Sequence, residues 1–172
     1  MTDHITVRPL HAEDLDTVLD IQAACYTGVL PESRQAFAAK LAASPTTSFL
    51  ALDGNIRLGY LVSVPIARGE PPALDAPRFS LPERADCLYL HDLAVVPHAR
   101  GSGAASALID TFLRQAHHHG FSQASLIAVQ NSIRYWEKHG FSAFTPTPSL
   151  AIKLASYGAG ACYMCRDIGI ST

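Results

Sequence analysis

The sequence predicts an α+β fold, a three-layer α/β sandwich with a mixed, mostly antiparallel sheet of about seven strands. Short apolar runs with strand character alternate with stretches in which apolar residues recur at helical spacing. Asp53-Gly54-Asn55, between two such runs, is a hairpin signal. Residues 87–129 add a strand–helix–strand unit, in which a glycine turn separates the first strand from an amphipathic helix.

Each element follows from its local pattern. Strands are predicted at residues 5–10, 48–52, 56–66, 87–96, 122–129, 141–145 and 159–167. Helices are predicted at residues 12–26 and 33–43, after the glycine turn up to a cap at Gly120, and at residues 132–139. Residues 67–85 contain four prolines and no period, and a loop of that length is often functional.

Composition excludes several classes of protein. A chain of 172 residues is most simply one domain, 1–172, large enough for its own core. The net charge of −2, without any Lys/Arg run, argues against nucleic-acid binding. Apolar runs are too short to span a membrane, and Met1 to His4 lack a signal sequence, so a cytoplasmic location is expected.

The cysteines and histidines predict no metal site. Cys162 and Cys165 have CxxC spacing, but residues three apart on a strand face opposite sides. No second CxxC or suitable His partner completes a zinc site. His117, His118 and His119 are consecutive on a helix and point in different directions. Ordinary reduced thiols are therefore expected.

The turn before the long helix is the most informative segment for function. It consists of Arg100, Gly101, Ser102, Gly103, Ala104 and Ala105. A helix that begins after a tight glycine turn presents unpaired N–H groups and the positive end of its dipole, which suits a phosphate. Arg100 adds a permanent positive charge. The turn therefore predicts a diphosphate site.

Two common nucleotide motifs do not fit this turn. A Walker A loop needs GxxxxGK[ST], and no Lys occurs between Lys40 and Lys138. A dinucleotide fingerprint needs a third glycine where Ser106 stands, and an acidic residue near the end of the next strand, where residues 129–131 read VQN.

The pattern [Q/R]-x-x-G-x-[G/A], filled by Arg100, Gly103 and Ala105, resembles the acetyl-coenzyme A motif of the GNAT superfamily of N-acetyltransferases. Residues 131–141, NSIRYWEKHGF, are similar to the helix-to-strand segment of that superfamily. The resemblance implies helices on both faces of a sheet that splays at its centre, so that coenzyme A enters between two strands.

The same resemblance implies which residues hold the cofactor. The amides of the turn would bind the pyrophosphate, and the main chain of Leu93, Ala94 and Val95 would pair with the pantetheine as an added strand. One of these N–H groups would polarise the acetyl carbonyl. Asn131 and Trp136 would lie along the pantetheine arm. Asn131 has an alternative role as helix N-cap, since Asn is a preferred cap.

His91 is the predicted general base, because it lies four residues before Val95, where several GNAT enzymes place Glu or His. A free imidazole titrates near ~6.5 and accepts a proton at neutral pH. The alternative is a polar strand residue bonded to a neighbouring loop. Strand alternation puts Tyr89, His91, Leu93 and Val95 on one face and Asp92 on the other. Tyr89 is a candidate substrate wall or water ligand.

Trp136 stands where many relatives have a Tyr that acts as general acid. An indole N–H donates but has no useful acidic pKa, so we assign no acid, and Tyr157 stays open. Tyr135 is interpreted as a core aromatic.

The predicted activity is acetyl transfer from acetyl-coenzyme A to a primary amine in a ternary complex, without a metal. The acceptor is left open between a small molecule, an amino acid and a peptide N-terminus. Alternatives are transfer of longer acyl chains and a non-catalytic acyl-CoA sensor. No nucleic-acid or membrane partner is expected, and a homodimer stays open.

Overall fold

The computed structural model describes residues 4–27, 31–129 and 131–169. Its strands are β1 (Ile5–Pro9), β2 (Phe49–Asp53), β3 (Ile56–Ile66), β4 (Cys87–Val95), β5 (Gln123–Ala128), β6 (Ser142–Ala143) and β7 (Cys162–Asp167). Its helices are α1 (Leu15–Cys25), α2 (Arg34–Ala43), α3 (Ala104–His118), α4 (Ile133–Lys138) and α5 (Pro148–Ala155). No helix in these ranges is long and apolar enough to cross a bilayer.

The strands form one seven-stranded sheet in the order β1-β2-β3-β4-β5-β7-β6. β4 and β5 are parallel, and the other neighbouring pairs in the described residues are antiparallel. The predicted mixed, mostly antiparallel sheet is therefore confirmed.

Helices cover both faces of the sheet. The Tyr60 ring on β3 meets Phe37 of α2 edge-on, with ring centroids 5.9 Å apart. Val7 pairs with Ala51, and Ala51 pairs with Gly59, so these three residues lie on one face of the sheet. Because Gly59 and Tyr60 are consecutive on β3, this face is opposite to the one that carries Tyr60. On that second face α3 packs across β1, β2, β3 and β4. The three-layer prediction is confirmed.

The sequence prediction missed α5 and made five strands too long, most of all the last two, which are observed only at Ser142–Ala143 and Cys162–Asp167. α5 begins after Thr147, whose hydroxyl accepts a hydrogen bond from the Leu150 N–H at 3.2 Å, and Pro148 occupies its first turn. Both are typical helix-start signals. Leu150 and Leu154 of this helix bury Tyr89 and Tyr163 in a second apolar cluster.

A β-bulge in β4 makes the predicted alternation wrong. Val62 pairs with Asp92 but Ser63 pairs with Leu90, so His91 is the extra residue. Because an extra residue reverses the alternation beyond it, Asp92 shares a face with Tyr89, while Leu93 turns to the other face.

Candidate functional site

The parallel ladder between β4 and β5 covers only the first part of β4. It pairs residues 87–90 with residues 123–126. Beyond these residues β4 continues beside β3 to Val95, and β5 continues beside β7 to Ala128. The two strands therefore separate, and the predicted splay of the sheet is present.

Main-chain groups of Leu93 and Val95 point into this opening. The Val96 N–H donates to the Leu58 carbonyl at 2.9 Å, so Val96 is turned toward β3. N–H and C=O groups alternate in direction along a strand. Those of Ala94 therefore point to β3, and those of Leu93 and Val95 point to the edge that β5 leaves.

Side chains at the end of α1 contact the same edge. The Tyr26 hydroxyl lies 3.0 Å from the Leu93 carbonyl, and the Cys25 thiol donates to the Val95 carbonyl at 3.2 Å. Burial raises the pKa of the Cys25 thiol, and the nearby Arg100 guanidinium opposes that rise. Cys25 is thus a protonated donor, and Arg100 lies beside the opening.

Two glycines shape the turn that follows β4. Gly101 has φ +82° and Gly103 has φ +95°, a left-handed conformation that L side chains rarely adopt. A Cβ at Gly101 would meet nothing within 4 Å, and one at Gly103 would meet only the Ile5 side chain at 4.0 Å. The backbone conformation therefore requires glycine, and the surrounding space is open.

The N-cap residue of α3 is Gly103, which makes no side-chain capping bond. Ser102 Oγ accepts a hydrogen bond from the Ala104 N–H at 3.3 Å. Ala104 is 1% exposed and packs into the core. Ala105 lies in the first helical turn, whose N–H groups have no partner within the helix. The predicted anion site therefore consists mainly of main-chain donors.

His91 lies in a buried cluster of charged side chains on the other face of β4. Its Nε2 is 2.7 and 2.9 Å from the two carboxylate oxygens of Glu32. The Lys40 ammonium on α2 lies 3.1 Å from Glu32 and is fully buried. Two reciprocal bonds between Glu32 main chain and the Gln22 side chain, 2.9 and 3.0 Å long, tie this segment to α1.

Glu32 is a residue that the sequence analysis missed. It contacts His91 across 59 positions of the chain, and no local motif marks it. Burial alone would raise its pKa, but hydrogen bonding to His91 and the charges of His91 and Lys40 lower the pKa of Glu32 to about 2. Glu32 is therefore an ionised acceptor.

Asp92 accepts two tyrosine hydroxyls beside this cluster. Tyr60 donates at 2.6 Å and Tyr26 lies at 2.8 Å. Burial raises the pKa of Asp92, and the hydrogen bonds oppose that rise. Asp92 thus joins β3, β4 and α1 next to the opening, as an orienting residue.

Tyr89 is 1% exposed and belongs to the second apolar cluster. Its pKa lies well above the ordinary value because it is buried and next to Tyr157. The Tyr157 hydroxyl donates to the Pro72 carbonyl at 3.1 Å, which joins the region after α5 to the proline-rich loop. The role of Tyr89 as a substrate wall or water ligand stays a prediction.

The segment around α4 differs from expectation in two residues. Asn131 is exposed with φ +64°, and Ser132 holds the N-cap position without a side-chain bond, so the cap alternative for Asn131 is wrong. Tyr135 is 39% exposed, so its interpretation as a core aromatic is also wrong. Trp136 is 8% exposed and packs edge-on against Phe141 at 5.8 Å. The cofactor roles of Asn131 and Trp136 stay predictions.

A groove of about 750 Å³ lies away from the turn, between α3, the end of α4 and β7. Asp110, Lys138 and Arg166 line it, so its charges are mixed in sign. All four cysteines are free thiols. Within the described residues no group of three or more His, Cys, Asp or Glu side chains is arranged to hold a metal ion.

Comparison with known proteins gives one family. The family model described as Acetyltransferase (GNAT) family matches residues 15–141. Among curated proteins no sequence matches this chain.

Solved structures share the fold over nearly the whole chain. The loading GNATL domain of CurA from Lyngbya majuscula has a TM-score of 0.80 at 13% identity, covering 96% of this chain and 98% of that one. The ribosomal-protein-S18-alanine N-acetyltransferase from Escherichia coli has a TM-score of 0.68 at 17% identity, covering 98% of this chain and 96% of that one. Arabidopsis thaliana Naa50 in complex with the bisubstrate analogue CoA-Ac-MVNAL has a TM-score of 0.66 at 17% identity, covering 94% of this chain and 96% of that one.

Proposed function

Because the chain belongs to the acetyltransferase (GNAT) family, we propose that it moves the acetyl group of acetyl-coenzyme A to a primary amine. The acceptor class comprises small molecules, amino acids and peptides. Two neighbours support an amine acceptor by their names, one as an alanine N-acetyltransferase and one by its bound CoA-acetyl-peptide analogue.

The observation that carries this proposal is the opening between β4 and β5. Its edge presents the N–H groups of Leu93 and Val95, which suit a pantetheine arm that pairs as an added strand, while their carbonyls already contact Tyr26 and Cys25. At the end of β4, the amides of Gly101, Gly103 and Ala105 suit the pyrophosphate. Cofactor binding thus depends on backbone geometry more than on side-chain identity.

The reaction is direct transfer in a ternary complex. The amine nitrogen attacks the thioester carbonyl carbon, the C–S bond breaks, and the thiolate of coenzyme A leaves. The Leu93 N–H donates to the developing oxyanion, and His91 takes the amine proton through a water molecule. Cys25 is not the nucleophile, since its raised pKa and its bond to Val95 keep it protonated.

Thiolate departure proceeds without a general acid from α4. Trp136 stands in the position where many relatives have Tyr, and its buried indole supplies a donor without an acidic pKa. A thiol with a pKa near ~8.5 is a fair leaving group at neutral pH.

The test is thiol release from acetyl-coenzyme A with a panel of small amines, amino acids and short peptides. We expect amine-dependent release and an N-acetylated product by mass spectrometry. Faster release from longer acyl-CoA substrates would support the acyl-chain alternative. Coenzyme A binding by calorimetry without turnover on any amine would contradict the proposal and favour an acyl-CoA sensor.

A further inference from the structure

The His91 imidazole has one engaged nitrogen and one orphaned nitrogen. Its side chain is 1% exposed, and Nε2 contacts both oxygens of Glu32. Nδ1 is buried and has no hydrogen-bond partner within residues 4–27, 31–129 and 131–169. Buried polar atoms in folded proteins are nearly always paired, with protein or with ordered water. Nδ1 is therefore a place where a water molecule or a substrate group completes the site.

The carboxylate decides which nitrogen carries the proton. Glu32 is ionised, and an ionised carboxylate only accepts hydrogen bonds. Nε2 must therefore donate to Glu32, and in a neutral imidazole the lone pair then lies on Nδ1. The orphaned atom is thus the basic one.

Charged and titratable groups from several elements face this imidazole. Glu32, before α2, contacts both Lys40 of α2 and the imidazole of His91. Asp92, on β4, has a raised pKa and two tyrosine donors. The Tyr89 ring lies 6.0 Å away between centroids, and Tyr157 lies next to Tyr89. Glu32 is the anion that directly contacts the imidazole.

We propose that Glu32 is a positioning residue for acetyl transfer, which holds a proton on Nε2 of His91 so that Nδ1 accepts the proton of the acceptor amine. The proton moves from the amine to a bound water, and a proton of that water moves to Nδ1. Glu32 then balances the imidazolium until the proton is returned to solvent. The inference rests on the proposed function, since it assigns how His91 serves that reaction.

The tautomer is measured on the wild-type protein without any assay of activity. Long-range ¹H–¹⁵N correlation above the imidazole titration should show a protonated Nε2 and an unprotonated Nδ1 for His91. A protonated Nδ1 would overturn the inference. Because no substrate is needed, this result stands even if no amine supports thiol release, so failure of the inference and failure of the proposed function are separable.

The second test is the pH profile of kcat/KM in paired variants. Glu32→Gln should lower kcat by about 10²-fold, at the lower end of what a general base contributes, with the KM for acetyl-coenzyme A unchanged. Its acidic limb should move to lower pH, because an imidazolium there lacks its counter-charge. Glu32→Asp should recover part of the rate, and Lys40→Met should move the limb in the opposite direction.

A purely structural Glu32 gives a different outcome. In that case Glu32→Gln would lower the melting temperature but leave kcat and the acidic limb of the folded enzyme at their wild-type values. That result would overturn the inference. If Glu32→Gln does not fold, the wild-type tautomer and the Lys40→Met profile still decide it.

Discussion

The proposed cofactor site consists of main chain, whereas the proposed acceptor site consists of side chains. Amides of Leu93, Val95 and the glycine turn all lie within one short stretch of sequence, residues 93–105. His91 and Glu32 come from segments 59 positions apart and meet only in the folded sheet. The first site should therefore tolerate most side-chain changes away from its glycines, and the second should depend on individual charges.

The largest expected effect comes from the proposed acceptor site. His91→Ala should lower kcat/KM for the amine by about 10²–10⁴-fold, as expected for loss of a general base. Affinity for acetyl-coenzyme A should stay nearly unchanged, because the proposed cofactor contacts are main chain. Steady-state kinetics and calorimetry measure the two sites separately, with His98→Ala, an exposed histidine after β4, as control. Equal rates in both variants would show that His91 is a structural residue of β4 and not the general base.

A second effect should appear in acid stability. Glu32 titrates near 2 in the folded state and near 4.5 when unperturbed. Its folded pKa is the lower one, so its contribution is complete above about pH 4.5 and is lost as the pH falls toward about 2. Relative to Glu32→Gln, the wild-type protein should lose about 3 kcal/mol of unfolding free energy across that window.

Urea unfolding between pH 6 and pH 2.5 measures this difference, with the exposed Glu70→Gln as control. Parallel pH dependences for the wild type and Glu32→Gln would show that Glu32 is not held as an ionised group.

The glycine turn should give the next effect. Gly103→Val forces a left-handed β-branched residue, a cost of roughly 1–2 kcal/mol, and places a side chain where the pyrophosphate would lie. Affinity for coenzyme A should fall about tenfold or more. Gly120→Val is the matched control, because Gly120 also has a positive φ, +76°, and open space, but lies at the other end of α3. Equal affinity for the two folded variants would contradict the assignment of the turn.

The smallest effect should come from Arg100. Arg100→Ala should weaken coenzyme A only a few-fold, because the amide donors remain, and raised salt should reduce the difference. Calorimetry at two salt concentrations is the check. A loss as large as that of Gly103→Val would mean that the guanidinium, not the main chain, dominates phosphate binding.

The same comparison explains what the sequence could predict. The strand–helix–strand unit of β4, α3 and β5 and the glycine turn follow from local signals, namely strand runs, Gly101 and Gly103. The splay was expected only from the resemblance to the GNAT superfamily. The bulge at His91 has no such signal. A sequence pattern assumes strict alternation along a strand, and the extra residue is visible only in the pairing of β4 with Val62 and Ser63.

Long-range contacts account for the missed Glu32 and for the burial of Trp136, whereas α5 had a local signal. Glu32 reaches His91 from a segment that Gln22 ties to α1 and Lys40 ties to α2. Tyr135 and Trp136 are adjacent aromatics, and packing against Phe141, not composition, decides that Trp136 is the buried one. α5 was detectable from Thr147 followed by Pro148, so its omission was a missed local signal.

The central claim is that main-chain groups of residues 93–105 bind coenzyme A. Amide chemical shifts on addition of coenzyme A test it most directly, because they report on these main-chain groups. In ¹H–¹⁵N spectra the amides of Leu93, Val95, Gly101 and Gly103 should move together and saturate with one dissociation constant, while that of Gly120 stays in place. Saturable shifts confined to other parts of the chain, with these four amides unmoved, would contradict the account.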